Sequence, residues 1–186
     1  SETATTCNDA SDSFAVVAGD GVSIRSSIAA GTPTVRRAWT GVAFEPTVEG
    51  EFVIAAANDT DLNTLATEYR RLQAVGSAVS ATETDTQQLA NAMTLTNFYV
   101  ETSAAPDIGV GVQDYTFTVR NNAADTGLSC VISETATTCN DTVNVSVADA
   151  DDLNISIVPS IVAPTAVDAH YSVTGYIAPR RIVLVD

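Results

Sequence analysis

Apolar and polar residues alternate along most of this chain in short runs, separated by clusters of Gly, Asp, Asn and Pro. A period of two places successive side chains on opposite faces of a pleated strand, so each run predicts a strand with one buried face. The runs predict strands at Glu51–Ala56, Thr94–Thr102, Tyr115–Asn121, Leu128–Ser133, Val143–Val147, Leu153–Val158 and Ala169–Ile177. The leading part of the chain adds Ser13–Val17, Val22–Ile28 and Arg36–Phe44. Between them lie turn-forming groups, among them Ala18-Gly19-Asp20-Gly21, Asn121-Asn122 and the acidic stretch Ala148 to Asp152. Gly, Asn and Asp adopt the backbone angles that tight turns require. This many short strands with such turns imply an all-β fold, an antiparallel β-sandwich.

Two stretches break the pattern. From Asp59 to Leu72, the residues Leu62, Leu65, Ala66, Tyr69 and Leu72 share one face at helical spacing behind an Asp or Thr cap, which predicts a short helix. Thr82 to Met93 is open between helix and strand: Ser80 and Glu83 stand at capping-box spacing, but the Thr content opposes a helix. One or two short helices are therefore the most this chain is expected to contain.

The nonamer SETATTCND at Ser1 to Asp9 recurs unchanged at Ser133 to Asp141. With one residue removed after it, the likeness continues: Asp20 falls on Asp151, Ile24 on Ile155, Pro33 on Pro164, Ala38 on Ala169 and Val42 on Val173. A period about one domain long marks a tandem repeat. In the same frame Phe52-Val53-Ile54 falls on Val183-Leu184-Val185. The expected organisation is residues 1–50 as the C-terminal half of a preceding β-module, 51–179 as a complete sandwich module, and 180–186 as the first strand of a following module or a donor strand. Two explanations stay open: a window on a longer tandem array, or a subunit whose end strand, Arg181, Ile182, Val183, Leu184 and Val185, completes a neighbour by β-strand addition.

The segment from Tyr115 to Ser160 resembles a repeated module of secreted bacterial surface proteins, whose recurring pattern is a strand like YTFTVR, an Asn-rich turn, a Cys-bearing hairpin like SCVISETATTC and a strand after a Gly-Asp turn. Those modules are similar to jelly rolls of the tumour necrosis factor and complement-head type. The resemblance covers about residues 72 to 178 and again 1 to 46, and departs from the pattern at Ala150-Asp151, where the earlier copy has Gly19-Asp20. It implies a jelly-roll sandwich in an extracellular setting and no particular activity.

Cys130 and Cys139 flank a tight strand-turn-strand, a spacing that brings their Cβ atoms within bridging range, so a disulfide is expected over two buried thiols. Cys7 matches Cys139 in the repeat and is left odd; its partner lies before Ser1 or on another subunit.

Eight basic residues, all Arg, against 23 acidic ones give a net charge of −15, which repels phosphate backbones and anionic headgroups. Nucleic acid is not an expected partner, and no apolar run reaches the roughly 18 residues of a membrane helix, so membrane insertion is not expected. The first residues carry no signal-peptide pattern. Signatures such as GxSxG, HExxH or a phosphate loop do not occur, and His170 falls where the earlier copy has Trp39, which suggests packing; no enzyme is expected. Oxygen ligands cluster at Asn58 to Asp61 and at Asp149, Asp151 and Asp152, the latter a candidate calcium loop; no other cofactor is expected. Asn58, Asn140, Asn144 and Asn154 stand in glycosylation sequons, and Tyr99, Tyr115, Tyr171 and Tyr176 are assigned to core or sheet-face packing over a sugar platform. The expected function is a structural subunit of an extracellular filament or surface array, with copies of itself as partner. The alternative is a carbohydrate- or receptor-binding module of a tandem-repeat adhesin.

Overall fold

The computed structural model describes residues 12–16, 45–58, 60–73, 79–107, 109 and 111–178. The chain divides into two compact units, residues 1–41 and 42–186. In the first, residues 12–16 are exposed and carry no regular secondary structure, so the described part of the strand expected at Ser13–Val17 is not one. The strands expected at Val22–Ile28 and Arg36–Phe44 lie outside the described residues.

The described regular structure of the second unit is nearly all strand: β1 (Glu51–Asn58), β2 (Glu68–Arg70), β3 (Val79–Ser80), β4 (Gln88–Leu89), β5 (Met93–Thr102), β6 (Asp114–Asn121), β7 (Ala124–Ser133), β8 (Thr138–Asp141), β9 (Val145–Val147), β10 (Asp152–Pro159) and β11 (Ala169–Tyr176). They form two antiparallel sheets. One runs β1-β11-β5-β8, with β9 also on β5; the other runs β3-β2-β10-β6-β7, with β4 also on β10. Counting β8 and β9 as one broken strand, the outermost strands in sequence pair with each other (β1 with β11, β2 with β10), as do the inner ones (β5 with β8 and β9, β6 with β7). That is a long hairpin rolled into two layers, the jelly-roll order.

Inward residues of both sheets make the core. Leu95, Phe98 and Val100 of β5 meet Tyr115, Phe117 and Val119 of β6, Leu128 and Ile132 of β7, and Ile155 and Ile157 of β10, all without solvent exposure. Burying each such side chain contributes on the order of 2 kcal/mol. Leu95 and Phe98 are three apart yet both face inward, because β5 bulges opposite Ser172 to Thr174 with Asn97 at φ 51°. The extra residue resets the alternation.

The expected helix at Asp59 to Leu72 is replaced by a loop and a strand. Leu62 and Leu72 are buried, but Leu65 is 84% exposed, so the five apolar residues do not share a face. Instead β2 pairs with β10, which turns Glu68 and Arg70 into the sandwich. Asn63 Oδ1 accepts from the N–H groups of Leu65 and Ala66, tying the loop into a turn. Thr82 to Met93 resolves into one 3₁₀ turn, Glu83–Asp85, followed by β4 and the start of β5; the Ser80 hydroxyl donates to Asp85, so no capping box forms with Glu83.

Candidate assembly edge

A two-layer sandwich has outer strands whose main-chain groups face away from the sheet, and natural proteins blunt them with short strands, charges, proline or bulges. Here β3 and β4 have two residues each. β8 and β9 have four and three, interrupted where Asp141 Oδ1 accepts from Val143 N. β7 is long, but it bulges against β6 and the outward N–H of Ser129 is taken by Asp141 Oδ2 at 2.9 Å. These hydrogen bonds hold the Asp141 carboxyl below its ordinary range, the bond from Ser129 first and that from Val143 second.

β1 differs. It pairs with β11 over eight consecutive residues with no bulge, and among the described residues with no other strand. Its sequence, EFVIAAAN, holds one charge, Glu51, and no proline. Ile177 N donates to Gly50 O at 2.9 Å, which makes that pair a hydrogen-bonded one. Alternation along an antiparallel ladder then directs the main chain of Phe52, Ile54 and Ala56 toward β11, and that of Val53, Ala55 and Ala57 to the free side. The side chains of Val53, Ala55 and Ala57 lie on the exposed sheet face. Phe52 lies across β11, where a Cβ on Gly175 would sit 2.3 Å from the ring.

Beside this edge the two sheets leave an open groove of about 340 Å³, lined by Phe52, Ile54, Leu72, Leu89, Met93 and Ile177 among others. Leu89 is 77% exposed and Ile177 42%, so apolar surface stays in water here.

The disulfide forms as expected: Cys130 and Cys139 are bonded, with Cα atoms 5.7 Å apart. Its setting differs from the hairpin anticipated in the sequence. Cys130 is on β7, opposite Phe117, and Cys139 is on β8, opposite Val100, so the segment between them crosses from one sheet to the other and the bond joins the layers. Glu134, at φ 52°, and the Ala136 N to Ser133 O bond make the turn. Cys7 and Arg181 to Val185 lie outside the described residues.

Asp151 accepts hydrogen bonds from Asn121 Nδ2, Ala148 N and Asn122 Nδ2, which lower its pKa in that order. Its carboxylate thus fastens the turn between β9 and β10 onto the β6–β7 turn. Among the described residues no three acidic, histidine or cysteine side chains are grouped to hold a metal ion, Asp149, Asp151 and Asp152 included. Of the sequons, Asn140 and Asn144 are exposed. Asn154 is 1% exposed and donates to Glu83 O and Thr86 Oγ1, so a glycan there is incompatible with the packing. His170 is exposed on β11 instead of packed. Tyr115 and Tyr171 are core residues, as assigned; burial raises both phenols, and their hydroxyls donate to Thr165 O and Arg71 O.

One feature the sequence reading missed is an interior ion pair. Arg70 Nε meets Glu68 Oε1 at 2.6 Å, both side chains almost fully buried. Arg70 Nη2 donates to Thr60 O and Asp61 O, and Glu68 Oε2 accepts from Asn63 N, so the pair pins the loop entering β2. Their alternation with Tyr69 is the signal that was available; the helical spacing of the leucines obscured it. On the outer face of the β2-β10-β6-β7 sheet, a polar groove of about 330 Å³ is lined by Tyr69, Thr116, Thr118, Arg120, Asp125 and Ser156. Arg120 stands 5.8 Å over the Tyr69 ring and is paired with Glu83 and Asp125.

Among the described residues no helix is long and apolar enough to cross a membrane. In comparison with known proteins, no family model matches this chain and no curated protein matches it.

Proposed function

We propose that this chain is a structural module of an extracellular filament or surface array, joined to its neighbours by main-chain pairing across sheet edges. The observation that carries this reading is the contrast between edges: β3, β4, β7 and β8–β9 are short, broken or capped, whereas β1 is long, regular and nearly uncharged. An edge of that kind is a template for another strand. The tandem repeat supports it, since an array multiplies weak edge contacts. The disulfide between layers suits an oxidising compartment, and the resemblance to modules of secreted bacterial surface proteins agrees with that setting. Arg181 to Val185 is one strand that a neighbour offers in this scheme.

Electron microscopy of the native material, with intact mass measured on the same sample, tests the reading. Filaments or ordered arrays support it. Dispersed particles of a larger polypeptide contradict it and favour the second reading, a carbohydrate-binding module of an adhesin, whose support is the polar groove around Tyr69.

A further inference from the structure

We infer that the edge of β1 that no described strand covers pairs with the β1 edge of a second copy, antiparallel and about a two-fold axis centred on Ile54. The inference rests on the edge-pairing reading above and specifies its partner.

Symmetry and hydrogen bonding restrict how two such edges meet. A two-fold axis relating antiparallel neighbours stands perpendicular to the sheet, so inward residues face inward residues and each residue opposes one of the same parity. The outward main-chain groups belong to Glu51, Val53, Ala55 and Ala57; the Glu51 N–H is already donated to Val48 O, so Val53 and Ala55 form the fully hydrogen-bonded pairs, and at each end the Ala57 N–H alone donates to Glu51 O. Centring on Ile54 is the register that brings all of Glu51 to Ala57 into overlap. Val53 then opposes Ala55, Glu51 opposes Ala57, Phe52 opposes Ala56, and Ile54 opposes its own copy.

Size and charge agree with this register. Each bulky residue off the axis faces an alanine, and Ile54 meets Ile54 where the two grooves join. The two Glu51 side chains stand at opposite ends of the ladder, about 20 Å apart at the rise of a strand. That exceeds the screening length of roughly 8 Å at physiological salt. Elsewhere a net charge of −15 opposes contact between copies, whereas β1 presents one acid in eight residues. Along β1 itself, then, a single acid per copy does little to keep two copies apart.

Sedimentation of the full chain, in a Cys7→Ser background, is the test. The parent is expected to dimerise at micromolar concentration, and Ala55→Lys, which places two new charges beside the partner's Val53, to weaken the dimer at least tenfold. Ala55→Pro removes an outward N–H without touching the β11 ladder and is expected to do the same. If the proline variant fails to fold, the lysine variant, whose side chain lies on the solvent face, carries the test. Oxidation of Ile54→Cys is expected to yield a covalent dimer, since that pair is non-hydrogen-bonded with Cα atoms about 4.5 Å apart. Ala57→Cys, whose copies lie far apart, is not.

A monomeric parent at 100-fold higher concentration overturns the inference, as does a dimer that Ala55→Lys leaves intact. Loss of the dimer on deleting residues 181–186, with no Ile54→Cys cross-link, overturns it in favour of a terminal donor strand. Filaments of native material built from chains that fail these tests would defeat this pairing and leave the array reading standing. A β1 dimer without any array would do the reverse.

Discussion

Replacing Cys130 and Cys139 with alanine removes the bond that joins the two layers without removing a strand from either. The sequence separation of nine sets the magnitude. Loop-closure entropy for a loop of that length gives about 2.6 kcal/mol of lost stability, nearly all of it from a less restricted unfolded chain. For a unit of this size, that lowers the melting temperature by on the order of 10 °C. β8 should feel the loss first, because it is four residues long and, among the described residues, pairs with β5 alone. Urea unfolding of the parent and the double variant gives the difference, and hydrogen exchange at Thr138 to Asp141 locates it. Exchange in β6 and β10, which are bonded on both sides, should change only with global stability. A loss below 0.5 kcal/mol, or equal acceleration in β8 and β6, would refute the view that the bond holds the layers together.

Arg70→Met leaves Glu68 buried without its partner and is expected to cost about 3–5 kcal/mol, whereas adding Glu68→Leu should restore part of it, as read by urea midpoints. Because Asp141 and Asp151 have lowered folded-state pKa values, their stabilisation is present above the ordinary carboxylate value and is lost as pH falls through the lowered one. Stability should therefore decline below about pH 4, and Asp141→Asn should lower stability at neutral pH while flattening that acid limb, followed by thermal melts from pH 2 to 7. Expressed in a glycosylating host, the folded protein should carry no glycan at Asn154, and peptide mass spectrometry will show a modified Asn154 if the packing described is wrong.

The strands of this fold were legible where period-two alternation ran for five residues or more, as in Tyr115–Asn121 and Leu153–Val158. Their partners were not, because alternation reports faces and says nothing of which sheet a strand joins. That is why the Cys130–Cys139 segment read as a hairpin although it spans two layers: a bridgeable spacing is common to both. Glu68 to Arg70 was lost to a competing period, since Leu62, Leu65 and Leu72 fit a helix by spacing while an interior Glu–Arg pair defies the usual burial of charges. Asn154 reads as a glycosylation candidate because a sequon is a local pattern, and the segment that covers it, at Glu83 and Thr86, comes from 71 and 68 residues earlier in the chain. The edge at β1 was visible as a strand, but its exposure depends on sheet order, which only the fold supplies.

Amide hydrogen exchange at Val53, Ala55 and Ala57, followed in the full chain over a range of protein concentrations, tests the claim that β1 is an assembly edge most directly. These N–H groups point away from β11 and have no strand partner among the described residues. The account predicts rapid exchange in dilute protein and protection that grows with concentration, while Phe52, Ile54 and Ala56 stay protected throughout. Exchange at the three outward amides that is independent of concentration, whether fast or slow, would contradict it.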